Sequence, residues 1–179
     1  MHGTPPVLSR RTVWLGALAG ACAVALSGCG FVLRGAPKFA FESLRFQGSE
    51  VTPVARELRR ALESAGLRVF ASGTPASPEG DTGQVLLTVL VDQREKTVVG
   101  QTAAGQVREM QLRTRFTFRL ATVAGKSLLD DTELLLERDI SFTETAVLAK
   151  EAEEALLFRD MQSDIVQQIM RRLAAVQVL

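Results

Sequence analysis

Two short stretches of the chain hold residues able to do or receive chemistry. The first is Leu26-Ser27-Gly28-Cys29, a thiol preceded by small residues at the end of an apolar run. The sulfur is a nucleophile able to take up an alkyl group. The second is the pair Asp130-Asp131, two adjacent carboxylates that offer acid–base or cation chemistry. Because it lies beside a turn at Ala124-Gly125-Lys126, solvated turn chemistry is the preferred reading. Little else is available. The only histidine is His2, and the only cysteines are Cys22 and Cys29. A chain without its first 28 residues has no histidine, and with Cys29 modified it has no free thiol. It therefore lacks the usual general base and the commonest transition-metal ligands. No nucleophile elbow, P-loop, dinucleotide fingerprint or calcium loop occurs. This inventory argues against an enzyme and calls for no cofactor or metal.

The elements around Cys29 explain its role. Arg10 and Arg11 provide a basic start, and Thr12 to Ser27 form an apolar run. The run is shorter than the roughly 20 residues a membrane span needs and ends in small residues, as a cleavage region does. Leu26 to Cys29 resembles the lipobox of bacterial lipoproteins. Residues 1–28 are expected to be a cleaved signal peptide, with the ordinary secretory route preferred over a twin-arginine one. Cys29 then becomes a lipidated N-terminus, its sulfur in a thioether and its amine acylated. One acyl chain holds a protein only marginally, at about 0.8 kcal/mol per buried CH2, whereas several hold it durably. Gly30 stands where an aspartate resembles an inner-membrane retention signal, so the expected destination is the outer membrane, periplasmic side.

Removal of residues 1–28 leaves 151 residues, enough for one domain. Arg10 and Arg11 go with the signal, so 19 Lys and Arg face 20 Asp and Glu. That near-neutral balance provides no basic field for nucleic acid. Cys22 is lost as well, leaving no disulfide.

Residues 29–42 are expected to be a lipidated tether, and 43–179 a single α+β domain. Ser43 to Gln47 alternates like a half-buried strand. Thr52 is placed to cap a helix with Pro53 at its first position and Gly66 at its stop. Val54, Leu58, Ala61, Leu62 and Ala65 make its apolar face, with Arg56, Glu57, Arg59, Arg60 and Glu63 pointing away. Leu67 to Ala71 reads as a short strand and Ser72 to Gly83 as a loop. Gln84 to Lys96 places Val85, Leu87, Val89 and Val91 on one face. The glycines of Thr97 to Val107 suggest a hairpin tip or a bulged crossing.

The next strand sets Met110, Leu112, Phe116, Phe118 and Leu120 against Glu109, Gln111, Arg113, Arg115 and Arg119. The last sets Leu134, Leu136, Ile140 and Phe142 against Asp131, Glu133, Glu137 and Asp139. A three-residue loop pairing Val123 with Ser127 aligns the apolar faces. It also sets Arg119 opposite Asp131 and Arg113 opposite Glu137, pairs worth roughly 0.2–1 kcal/mol each. A neutralised arginine stripe is preferred here to a ligand-binding basic face. Ala146 to Val176 reads as a helix of about 45 Å, with Phe158, Met161, Ile165, Ile169, Leu173 and Val176 at helical spacing. The predicted fold is a two-layer α+β sandwich, two helices on one face of a mixed or antiparallel sheet of about four strands.

Three stretches resemble the lipopolysaccharide-assembly lipoprotein family LptE. Cys29 to Gly35, CGFVLRG, is similar to the family's mature N-terminus. GQVREMQLRTRFTFRL is similar to its Gly-Gln hairpin and long alternating strand, and AVLAKEAEEALLFRDMQSDIVQQIMRRLAAV to its closing helix. The resemblance covers nearly all the mature chain. It implies a plug and assembly partner inside the outer-membrane β-barrel LptD, anchored in the bilayer by acylated Cys29, that binds lipopolysaccharide on its way to the outer leaflet.

Phosphates of such a ligand call for Lys or Arg. Lys150 matches a family lysine near the start of the last helix and is carried over as a lipopolysaccharide contact. The other reading is a solvated lysine near Glu154. The family's basic position before the Gly-Gln hairpin is here Thr102-Ala103-Ala104, so Lys96, Arg94 or Arg108 are the nearby substitutes. Phe31 and Arg34 are expected to serve the tether or the partner, with Arg34 meeting lipid headgroups, the barrel wall or solvent. The alternative function is an auxiliary lipoprotein of an intermembrane lipid-transport system, recognised by an inner-membrane partner in place of a barrel.

Overall fold

A computed structural model of the chain describes residues 37–73, 85–141 and 147–177. The lipobox, Cys29, Phe31, Arg34, Phe142, Ala146 and most of the Ser72–Gly83 loop lie outside the described residues. The described elements are β1 (Ser43–Gly48), α1 (Pro53–Ser64), β2 (Arg68–Phe70), β3 (Val85–Gln101), β4 (Val107–Thr122), β5 (Ser127–Ser141) and α2 (Val147–Ala174). They build a two-layer α+β fold. The sheet is mixed, in the order β2-β1-β3-β4-β5, with β1 parallel to both β2 and β3 and the β3–β4 and β4–β5 pairs antiparallel. It has five strands where about four were expected, because three-residue β2 pairs fully with β1 at the edge.

One apolar layer joins the helices to the sheet. Leu44 and Phe46 of β1, Val85 and Leu87 of β3, and Phe116, Phe118 and Leu120 of β4 pack against Val54, Leu58 and Leu62 of α1 and Ile165, Ile169 and Leu173 of α2. A smaller cluster of Leu112, Ile140 and Met161 lies beneath the middle of α2. Phe41 is also buried, with the Phe39 ring 5.6 Å away, so the last residues of the expected tether already belong to the core.

The helices follow their patterns, with one substitution of roles. Pro53 opens α1, where a missing N–H costs nothing. Thr52, however, makes no side-chain cap bond. Asp92 of β3 takes that role from outside the helix, its Oδ2 accepting from the N–H groups of Val54 (3.1 Å) and Ala55 (3.2 Å). A carboxylate satisfies the same orphan donors that Thr52 would, and its charge suits the helix N-terminus better. Gly66 follows the helix at φ +92, as expected for a stop. In α2 the buried residues are Met161, Ile165, Val166, Ile169 and Leu173, with Phe158 half-buried. The N-terminal half is less covered, Leu148 and Leu156 being 81% and 55% exposed.

The outer strands pair close to expectation. Arg113 stands opposite Glu137 in the ladder and bonds it at 2.8 Å, and Arg119 reaches Asp131 at 2.9 Å. Arg115 adds Glu133 at 4.0 Å. Val123 does not pair with Ser127: Ala121 does, after two register shifts near the turn. The Thr122 Oγ1 explains the different loop, accepting from the Lys126 N–H at 3.1 Å while Gly125 turns at φ +88. The same device closes β3–β4, where Thr102 Oγ1 accepts from Gln106 N–H at 3.1 Å and Gly105 takes φ +80.

The main departure is in β3. It continues unbroken through Thr97 to Gln101, and its register with β4 shifts between Val89 and Val91. Leu90 is the extra residue of this bulge. Val91 therefore leaves the face shared by Val85, Leu87 and Val89. Asp92, Arg94, Lys96 and Val98 take that side instead, opposite Phe116, Thr114, Leu112 and Met110.

Candidate functional site

The bulge turns a polar half-strand toward the helices, and a trough forms there. Arg94 rises from β3 with its guanidinium 5.2 Å from the centre of the Phe158 ring on α2. Such a stack is worth about 0.5–1 kcal/mol at an exposed site. The Arg94 guanidinium also donates to Gln162 Oε1, while the Gln162 amide donates to Glu57 of α1. Gln162 thus ties β3, α1 and α2 together. Toward the start of α2 the trough encloses about 680 Å³, with Lys96 ion-paired to Glu154 and Glu151 on the rim. Toward α1 it encloses about 380 Å³ between Pro53, Arg56, Arg60, Arg94 and Gln162.

Helical spacing assembles the remaining cations. Arg56 and Arg60, four residues apart, share one exposed face of α1, and Arg159 joins Gln162 on α2 at a spacing of three. The trough can therefore present planar guanidinium donors to an anion, with the Phe158 ring alongside. Among the described residues no group of three or more His, Cys, Asp or Glu side chains is placed to hold a metal ion.

The residues expected to bind ligand lie along the start of α2. Lys96 pairs with Glu154, one turn after Lys150, and Lys150 reaches Ser141, which pairs with Glu109 beside Arg108. Lys96 lies in the trough with Arg94. Lys150 sits on the first turn of α2, its Nζ donating to Glu153 (2.8 Å) and Ser141 Oγ (3.2 Å), with its side chain 20% exposed. Its carboxylate partner is Glu153, since Glu154 serves Lys96. Arg108 is exposed beside the β3–β4 tip and does not line the trough. Cys29, Phe31 and Arg34 lie outside the described residues.

Arg56, Arg60, Arg159 and Gln162 escaped sequence reasoning as site residues. Uninterrupted alternation of β3 turns Arg94 and Lys96 away from the helices, where nothing links them to α1. The three consecutive apolar residues Val89-Leu90-Val91 are the one local sign of the bulge.

The two-layer sheet-and-helix build defines a class of small α+β domains that recurs among lipoproteins of known structure. The family model for LptE, lipopolysaccharide assembly, matches residues 41–173, and the chain belongs to that family. It is similar to the solution structure of uncharacterized lipoprotein B from Nitrosomonas europaea, with 30% identity and a TM-score of 0.65 over 82% of this chain and 91% of that one. The fold is also that of a minor lipoprotein from Acinetobacter baumannii (19% identity, TM-score 0.57, 77% and 94% covered). It is shared by the rare lipoprotein B from Shewanella oneidensis (20%, 0.57, 74% and 94%). No curated protein matches the chain in sequence.

Proposed function

We propose that the chain is an outer-membrane lipoprotein that plugs the LptD β-barrel, supports its assembly and binds lipopolysaccharide during delivery to the outer leaflet. The observation that carries this reading is the LptE family match across nearly the whole described domain. In this reading residues 1–28 are removed, Cys29 holds the acyl chains, residues from 29 to about 42 lead to the fold, and the domain acts by binding and not by catalysis. A lumenal plug must stay folded while it touches a barrel wall and an amphipathic ligand. The ion-paired outer sheet face and the apolar core between the helices and the sheet suit that requirement.

Lys150 is proposed as a lipopolysaccharide contact. Its pairing with Glu153 does not oppose this, because a phosphate competes well with one half-exposed carboxylate for an ammonium. Lys150→Asp is expected to weaken lipopolysaccharide binding by the purified lipoprotein roughly ten-fold, the scale of one lost charged hydrogen bond. Its melting temperature should stay near that of the wild type. Unchanged binding removes Lys150 from the site.

A further inference from the structure

Two groups of arginines are treated differently. Those of the outer sheet face, Arg113, Arg115 and Arg119, each stand against a carboxylate of β5. Arg56, Arg60, Arg94 and Arg159 converge on the trough from three elements, and none of the four has an ion pair among the described residues. Holding like charges four apart on one helix is unfavourable unless a counter-charge lies between or beside them. Among the described residues, none of the neighbouring carboxylates is ion-paired with the four. Asp92 caps α1, Glu154 pairs with Lys96, Glu57 accepts from the Gln162 amide, and Glu151 shares the α2 half of the trough with Arg94 and Arg159 without an ion pair to either.

We propose that the α1–β3–α2 trough binds a phosphomonoester group of an amphipathic glycolipid. Arg56 and Arg60 supply charge-assisted donors in the trough's α1 half and Arg159 in its α2 half, while Arg94, held by Phe158 and Gln162, lines both. Guanidinium groups match phosphate oxygens in paired, planar fashion and remain charged at any physiological pH. The Phe158 ring and Ala155 border the same trough and give an apolar surface for the part of the ligand next to the phosphate. Arg94 is already oriented by its ring and amide partners, so it loses little freedom on binding. The identity of the ligand rests on the lipopolysaccharide-binding reading above. The site itself rests on the four arginines.

The test uses the full-length lipoprotein in detergent, with diphosphoryl lipid A, the same lipid enzymatically dephosphorylated, and inorganic phosphate as probes. The variant is Arg60→Gln/Arg159→Gln, two exposed residues whose replacement leaves the core untouched. Its affinity for diphosphoryl lipid A is expected to fall about ten-fold or more, with that for the dephosphorylated lipid unchanged. The wild-type preference for the phosphorylated lipid should also weaken with added salt. Equal affinity of wild type and variant for diphosphoryl lipid A overturns the proposal while leaving the lipopolysaccharide reading standing. Displacement of the lipid by an equal concentration of inorganic phosphate assigns the arginines to the free ion and overturns the lipid assignment. Failure of the wild type to bind either lipid removes the lipopolysaccharide reading and this site with it.

Discussion

Gly48 and Asp92 show how single residues set the geometry on which the trough depends. Gly48 ends β1 at φ +87, and a Cβ built there would lie 2.4 Å from the Val89 carbonyl oxygen at the edge of the bulge. Backbone is not easily moved, so Gly48→Ala should destabilise the domain by about 2 kcal/mol or more, from left-handed strain and overlap together. Urea unfolding measures this, and an unchanged midpoint would contradict the close approach. Asp92 holds the start of α1 from β3. Asp92→Ala should cost about 1–2 kcal/mol, whereas Asp92→Asn keeps an accepting oxygen and should cost less. Equal losses in the two variants would show that the cap is not what Asp92 contributes. Thr52, the expected cap, sits in the right place with the right oxygen. Only the tertiary approach of β3 decides against it, and a local pattern carries no trace of that approach.

At the scale of elements, periodicity located α1, α2 and the alternating strands β4 and β5, including the Arg113–Glu137 pairing. These elements have one apolar face each, so burial dictates their register. The bulge at Leu90 escaped because it is a count of residues, not a choice of residue types. Apolar Leu90 extends the greasy run while reversing the facing of Val91 and the residues beyond it. Deleting Leu90 should therefore leave Arg94 and Lys96 facing the helices, since Val89 and Val91 already pair with the adjacent Phe118 and Thr117. Deleting Gln93 should turn both outward and break the contacts to Phe158, Gln162 and Glu154. Thermal unfolding of the two variants should show the Gln93 deletion to be the more damaging. The reverse order would contradict the bulge as the device that aims this half of β3.

For the whole molecule, the two-layer build was readable in the patterns, with β2 adding an edge strand that its three residues scarcely announce. The candidate site was legible only in part. Lys96 and Arg94 drew notice through the family resemblance, but Arg56, Arg60 and Arg159 look like ordinary solvated helix residues until the fold gathers them. Convergence from three elements, 38 residues apart at Asp92 and Val54 alone, is a property of the packed molecule. A plug is defined by the barrel it joins. The most direct measurement is affinity purification of the tagged, full-length lipoprotein from detergent-solubilised outer membranes, with its copurifying proteins identified and their ratio determined. The account predicts recovery with an LptD-size β-barrel in a defined complex. Recovery as a lone monomer, with that barrel present in the same membranes, would contradict it.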